Sequence, residues 1–271
     1  MGFDARVLLD SQSPAGVRLT TLQVTFPRFV LSEFNTHRTF SRNSASSRAI
    51  PTNKLLERVL NDPVLPVEWG RNQQGMSAGE ELTQEDAERA KGVWLAAMHD
   101  AIARVKEMQA FRVHKQIINR LLEPFMWHTV IVTATEWENF FELRCSPSAQ
   151  PEIRVAAELM REAMRESTPT TIANGEWHLP LVQSDEQTLD IETRKKISAA
   201  RCARVSYLTH DGKRDIDKDI ELCERLRTDR HLSPFEHVAM AAADKDFHAN
   251  FRGWVQMRAE IEVPGSLAGT R

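Results

Sequence analysis

The segment from His37 to Arg48 concentrates groups that bind anions: Arg38, Arg42 and Arg48 stand among Ser41, Asn43, Ser44, Ser46 and Ser47. Guanidinium groups offer rigid charged donors matched to phosphate oxygens, and short hydroxyl side chains with exposed backbone amides add further donors. The chemistry this suits is the holding of a phosphorylated ligand. On this segment alone a solvated polar loop with scattered arginines is the competing reading, since the glycines of a phosphate loop are absent. A second cluster, Asn139 to Arg144 followed by Ser148-Ala149-Gln150, stands just ahead of a helix start at Pro151, where Arg144 either reaches an anion or faces solvent. A third, Ser233-Pro234-Phe235-Glu236-His237, reads equally as a capping box or as a functional turn. Cys145 lies beside the second cluster without a base near it in sequence, and a packing role is expected. His178 has no partner at metal-ligand spacing, and no metal site is expected.

These residues need a frame. Val17 to Phe29 alternates Val, Leu, Thr and Phe, which predicts a strand limited by Pro27, followed by a short helix through Phe34 and His37. Ser41 to Pro51 reads as a loop, because Ser and Asn favour local bonds to the backbone. Thr83 is placed to cap a long helix with Asp86 at its third position, and Ala87, Ala90, Trp94, Ala97, Ala101, Ile102, Val105 and Met108 follow as a core stripe. A second helix is expected over Val113 to Leu122, ending before Pro124, and the β-branched run Thr129 to Thr135 predicts a buried strand. The helix from Pro151 carries Ile153, Ala156, Ala157, Met160 and Met164 on one face. Glu176 to Asp185 reads as a connection, and Thr188 to Arg204 and Ile216 to Arg227 as helices. Phe26 to Arg38 and Asp246 to Arg258 echo one another weakly, with Thr36-His37-Arg38 aligned on Gln256-Met257-Arg258.

Composition limits the classes available. The chain has 271 residues, 41% apolar and 27% charged, with a formal net charge of -3. That is an ordinary folded protein, expected as one domain over residues 1–271, with no global attraction to nucleic acid or anionic membrane. The basic segment also lacks the interleaved aromatics of a base-stacking surface, so no nucleic-acid partner is expected. No apolar run is long enough to span a bilayer and the N-terminus does not read as a signal peptide, which predicts a cytoplasmic protein without a membrane partner. Cys145, Cys202 and Cys223 form no paired spacing and are expected to be reduced.

Taken together the three clusters resemble the flavin-dependent thymidylate synthases. That family's signature, Arg-His-Arg, seven residues, then Ser, is matched by Thr36-His37-Arg38 with Ser46 after seven residues, and Ser41, Asn43 and Arg48 also match. A second block matches at Asn139, Leu143-Arg144 and Ala149-Gln150-Pro151-Glu152-Ile153, and a third at Ala203-Arg204-Val205-Ser206 and Ser233 to His237. In the family the third block comes first, so the chain resembles a circularly permuted, divergent member. The resemblance implies an α+β fold, an antiparallel sheet packed by long helices of the thymidylate-synthase-complementing-protein type, assembled as a homotetramer whose sites draw on several subunits.

The resemblance further implies FAD as cofactor, with NADPH and methylene-tetrahydrofolate as co-substrates, and one-carbon transfer to C5 of dUMP giving dTMP. Ser46, Ser47 and Arg48 would bind dUMP near its phosphate, with Arg120 as a further contact. Arg144 would hold the pyrimidine, so that Arg144 and Ser46 carry the catalytic role. His37, Arg38, Asn139, Ser206, Ser233 and Glu236 would contact FAD. Departures from the pattern are specific: Thr36 replaces the first signature arginine, Glu33 a glutamine, Ser44 a glutamate, and Thr133 to Glu136 stand where the family has Asn-x-Arg. Each absent charge-assisted contact is worth roughly 1.5–3 kcal/mol, and Arg42, Arg252 and Arg258 are the candidates to replace them. Two other readings stand beside dTMP synthesis. One is a flavin-dependent dUMP hydroxymethylase giving 5-hydroxymethyl-dUMP; the other is an inactive nucleotide-binding homologue.

Overall fold

The alternation of Leu, Thr, Val and Phe over residues 18–27 places that segment at the centre of the structure. The computed structural model describes residues 2–205 and 214–262. Strand β1 (Asp4–Gln12) turns back through Gly16, whose φ of +81° favours glycine, into β2 (Arg18–Pro27). A 3-10 turn leads to helix α1 (Leu31–Asn35), strand β3 (Ser41–Ser44) and helix α2 (Thr52–Asn61). The long helix α3 (Gln84–Ala110) starts where expected, with Thr83 accepting from the amide of Asp86. Helix α4 (Lys115–Ile118) and a 3-10 stretch lead to β4 (Trp127–Ala134), then α5 (Glu138–Arg144) and α6 (Pro151–Glu166). The short strands β5 (Thr170–Thr171) and β6 (Trp177–His178) precede α7 (Ile191–Ala203) and α8 (Ile216–Thr228). Strands β7 (Ala239–Ala241), β8 (Phe247–His248), β9 (Phe251–Arg252) and β10 (Trp254–Gln256), with helix α9 (Met257–Glu262), end the described chain.

The main sheet has the order β3-β4-β2-β1-β5, antiparallel except for the parallel pair β1 and β5. A second sheet runs β10-β7-β6, and β8 and β9 form a hairpin. The fold is therefore α+β, with antiparallel sheets and long helices, as expected. Alternation divides the main sheet. Leu22, Val24 and Phe26 of β2, with Val130 and Val132 of β4, bury against Ile153, Ala156, Ala157 and Met160 of α6. Each large apolar side chain removed from water in this way contributes about 1.5–3 kcal/mol.

The opposite face carries threonine pairs across the strands on either side of the buried Ile131. Thr25 meets Thr129 at 2.9 Å, and Thr21 meets Thr133 at 2.7 Å. The second pair belongs to a chain of buried groups: Ser11 to His178 Nδ1 at 2.8 Å, His178 Nε2 to Thr21 at 2.8 Å, and Thr133 to His237 Nδ1 at 2.7 Å. Burial holds both imidazoles neutral, with pKa values pushed down to about 3. His178 is thus a satisfied core histidine, and His237 ties the turn that carries Glu236 to the central strands. Arg201 of α7, bonded to Glu186 at 2.7 Å and Asp219 at 2.9 Å, fastens α7 to α8. Lys195 of α7 bonds Glu260 of α9 at 2.8 Å and stacks over Trp177.

Several expectations are corrected. Residues 41–44 form strand β3 rather than loop, because the edge of β4 offers backbone partners that outweigh the local preferences of Ser and Asn. His37 lies beyond the end of α1. The helix expected over Val113 to Leu122 is α4 followed by a 3-10 stretch, Asn119–Phe125, that includes Pro124: proline disfavours α geometry at the preceding Glu123, yet its fixed φ suits a 3-10 turn. In α3 only Met98, Ile102 and Val105 are buried and Ala97 is exposed, since the helix outruns the surface it covers. Residues 177–178 are a strand, not only connection, and α7 begins at Ile191 because Asp190 caps it through the amide of Thr193. Ser233 caps nothing: Ser233–Glu236 is one 3-10 turn without a side-chain cap bond. The echoed segments differ locally, Thr36 following a helix and Gln256 ending a strand.

Candidate functional site

Arg144 is the last residue of α5, and the helix directs it back onto the segment between α1 and β3. Its Nε donates to His37 Nε2 at 3.0 Å, and its Nη2 donates to Thr36 Oγ1 at 3.1 Å. The first bond requires an unprotonated Nε2, and the ring is indeed held neutral: burial, then the Arg144 and Arg42 guanidinium charges, push its pKa down to about 4. Phe140 and Phe40 pack on the ring at centroid distances of 4.8 and 5.8 Å and fix its plane. Arg42, half-buried in β3, donates to the carbonyl of His37 at 3.1 Å. Burial lowers its pKa, the Glu236 carboxylate opposes that shift, and Arg38 adds to it. Arg42 and Arg144 thus flank His37 with positive charge, and Arg38 adds to the charge on Arg42.

The third cluster reaches the same place from the far end of the sequence. Gln256 Nε2 donates to Ser41 Oγ at 3.0 Å and to the carbonyl of Glu236 at 3.1 Å. Asn250 donates to Ser41 Oγ at 3.0 Å. Glu236 is ion-paired with Arg258. Arg252 bonds Glu136 at 2.9 Å, and its amide donates to Thr135, so a C-terminal arginine stands at the stretch where the family pattern was short of one. Asn139, Ser233 and Arg38 are exposed, and Ser206 lies outside the described residues.

A separate cluster forms beyond the other end of β3, whose four residues cover about 13 Å. Residues 46–50 make a tight turn, with Ala49 N bonded to the Ser46 carbonyl at 3.0 Å. Ser47 is buried and donates to Glu123 Oε1 at 2.7 Å; Arg120 donates to the same oxygen at 2.8 Å. Arg48 is exposed at the turn, and Lys115 Nζ bonds the Ala49 carbonyl at 3.1 Å. Asn119, fully buried, holds the turn from beneath, donating to the carbonyls of Ser47 and Ile50 at 2.8 and 3.0 Å and accepting from Thr52 at 2.8 Å. Asn119→Ala would strand two buried carbonyls and a hydroxyl, and a loss of about 3 kcal/mol is expected in denaturant unfolding.

The structure therefore joins Arg144 to His37, Glu236 to the start of β3, and Ser47 to Arg120 through Glu123, while the two clusters stand at opposite ends of β3. Glu123, Asn119, Lys115 and Arg28, whose guanidinium lies 3.6 Å from Glu123, were missed in sequence, and Gln256 was noted only in the weak echo and given no role. Isolated polar residues within helical or β patterns carry no signal there, and only the fold brings them to the turn and to Ser41. The Arg144 cluster fits a large anionic cofactor or nucleotide: Arg144 and Arg42 beside a neutral histidine, with Glu236 already paired to Arg258, leave positive charge for phosphate or an electron-rich ring.

Fold and site define an α+β protein with clustered arginines at both ends of an edge strand. The family described as thymidylate synthase complementing protein matches residues 9–170, more than half of the chain, and the protein belongs to that family. The match holds Thr36 to Arg48 and Arg144, while the Ala203 to Ser206 and Ser233 to His237 blocks lie beyond it. Among solved structures, the chain is similar to the UMP/dUMP methylase PolB from Streptomyces cacaoi bound with 5-Br UMP, at 15% identity and a TM-score of 0.48 over 60% of this chain and 89% of that one. The form bound with 5-Br dUMP matches at 19% identity and a TM-score of 0.46, over 55% of this chain and 67% of that one. No curated protein matches. Among the described residues no helix is long and apolar enough to cross a membrane.

Proposed function

We propose that the protein is an enzyme that adds a one-carbon unit to C5 of dUMP, using FAD, NADPH and methylene-tetrahydrofolate, and that its product is dTMP. The observation that carries this reading is the seating of Arg144 on His37 inside a match to the thymidylate synthase complementing family. Arg144 would hold the uracil ring, where a fixed guanidinium near a carbonyl oxygen stabilises the charge that develops as C5 becomes nucleophilic. Ser46, Ser47, Arg48 and Arg120 would hold the phosphate end of dUMP. His37, Arg38, Asn139, Ser206, Ser233 and Glu236 would face FAD, with Arg42 as the replacement for the absent family arginines, since Arg252 and Arg258 are paired with Glu136 and Glu236. Bound FAD would supply the hydride, taken from NADPH, that brings the transferred carbon to the methyl level.

The same reading makes residues 1–271 one domain with a circularly permuted order. It is supported by the packing of the late Ser233–Glu236 turn and Gln256 against Ser41. It also makes the protein a homotetramer whose sites combine the Arg144 end of β3 from one subunit with the Ser46–Arg48 end from another. Exposed Val93, Phe111 and Ile117 offer apolar surface for such contacts.

The test is mass analysis of the nucleotide formed from dUMP, methylene-tetrahydrofolate, NADPH and FAD by the purified protein. dTMP is the expected product. A product heavier by one oxygen would replace the methylase with a 5-hydroxymethyl-dUMP synthase, a reading favoured by Thr36 where the signature has arginine. Bound dUMP without turnover would leave an inactive nucleotide-binding homologue.

A further inference from the structure

The carboxylate of Glu123 has an unusual set of partners. One oxygen, Oε1, accepts from Ser47 Oγ at 2.7 Å and Arg120 Nη1 at 2.8 Å, and lies 3.6 Å from Arg28 Nη2. The three donors come from three separate segments, and the glutamate and Arg28 side chains are only 22% and 18% exposed. Arg28 is itself positioned by His128, whose ring nitrogen lies 3.1 Å from its Nη1. The turn that presents Ser47 is fixed by Asn119 and flanked by Lys115 and Arg48. A hydroxyl and two guanidinium groups converging on one anionic oxygen make the donor set that a phosphate oxygen requires.

We propose that Glu123 is a resident carboxylate standing in the place of a ligand phosphate oxygen, and that a phosphorylated nucleotide binds by displacing it. The inference rests on the reading of Ser46 to Arg48 as the nucleotide phosphate site. Glu123 keeps Ser47, Arg120 and Arg28 assembled and their charges paired between ligands. A phosphate monoester, with close to two negative charges and three acceptor oxygens, outcompetes one carboxylate for these donors. A singly charged or neutral ligand does not. The internal carboxylate thereby sets a threshold that selects a phosphate monoester over the free nucleoside, at the expense of absolute affinity.

The experiment is calorimetric titration of the full chain and of Glu123→Gln with inorganic phosphate, dUMP and deoxyuridine. Glutamine keeps the shape and an acceptor for Ser47, and thermal unfolding of both proteins verifies the fold. Phosphate and dUMP should bind E123Q about tenfold or more tightly, the equivalent of losing one charge-assisted competitor, and deoxyuridine should bind both proteins equally. Equal phosphate affinity in the two proteins, or an equal gain for deoxyuridine, overturns the proposal. Ser47→Ala and Arg48→Ala separate the two levels. If they weaken phosphate binding while E123Q brings no gain, only the role of Glu123 fails. If phosphate binding ignores them, the location of the phosphate site fails and the proposal with it.

Discussion

The folded chain should lose its stability steeply between pH 6.5 and pH 4. Burial and neighbouring arginines lower His37 to about 4, and burial lowers His128, His178 and His237 to about 3. In the unfolded chain each returns to the ordinary value near 6.5. The folded-state values are depressed and the groups are bases, so the unfolded state takes up protons first as pH falls. Their contribution is fully present above about pH 6.5 and is lost on the way down to the folded values. Near pH 5 the unfolded chain binds close to four more protons than the folded one at these sites, a slope of about 5 kcal/mol per pH unit. With a net stability of about 5–15 kcal/mol, the acid midpoint falls near pH 5. Denaturant unfolding followed by circular dichroism from pH 7.5 to 4.5 measures the slope, and a flat stability across that range would refute the assignment. His178→Gln, which keeps hydrogen-bonding atoms but cannot titrate, should lower the slope by about 1.4 kcal/mol per pH unit.

Replacing Arg144 by alanine should reduce kcat by about 10²- to 10³-fold, the loss seen when one preorganised donor to a developing anion is removed. The bound flavin should stay, since in the proposed arrangement Arg144 serves the pyrimidine and its hydrogen bonds within the chain go to His37, Thr36 and the Glu33 carbonyl. Arg144→Lys should not restore the rate, because an ammonium cannot span His37 and Thr36 while presenting a planar donor pair to a ring. A second readout separates this role from general damage. Removing the guanidinium deletes one of the charges that depress His37, so the imidazole should titrate higher in R144A, measurable by NMR of the ring protons. Loss of flavin absorbance on purification would move Arg144 to the cofactor side; turnover near the wild-type rate would remove it from the chemistry.

Much of the frame was legible along the chain. The Thr83 cap and Asp86, the Ile153, Ala156, Ala157, Met160 stripe and the alternation through Leu22, Val24 and Phe26 are local patterns, and local steric and hydrogen-bonding preferences are enough to set them. The 3-10 turn at Ser233 and the strand at Ser41 were not, because neighbours distant in sequence overruled local propensity. The anion-binding character of residues 36–48 could be read from residue types alone, as could the association of that segment with Arg144 through the family pattern.

What each of those residues touches belongs to the tertiary structure. By itself the sequence determined most of the long elements, the apolar faces of β2 and α6 and the family, since these follow from periodicity and motif. Only the fold decided that Arg144 rests on a neutral His37, that Gln256 and Glu236 return to Ser41, and that Glu123 lies under Ser47 and Arg120. The reason is the same in each case: a side chain's charge state and partners depend on burial and on groups brought from far along the chain, which no local pattern encodes.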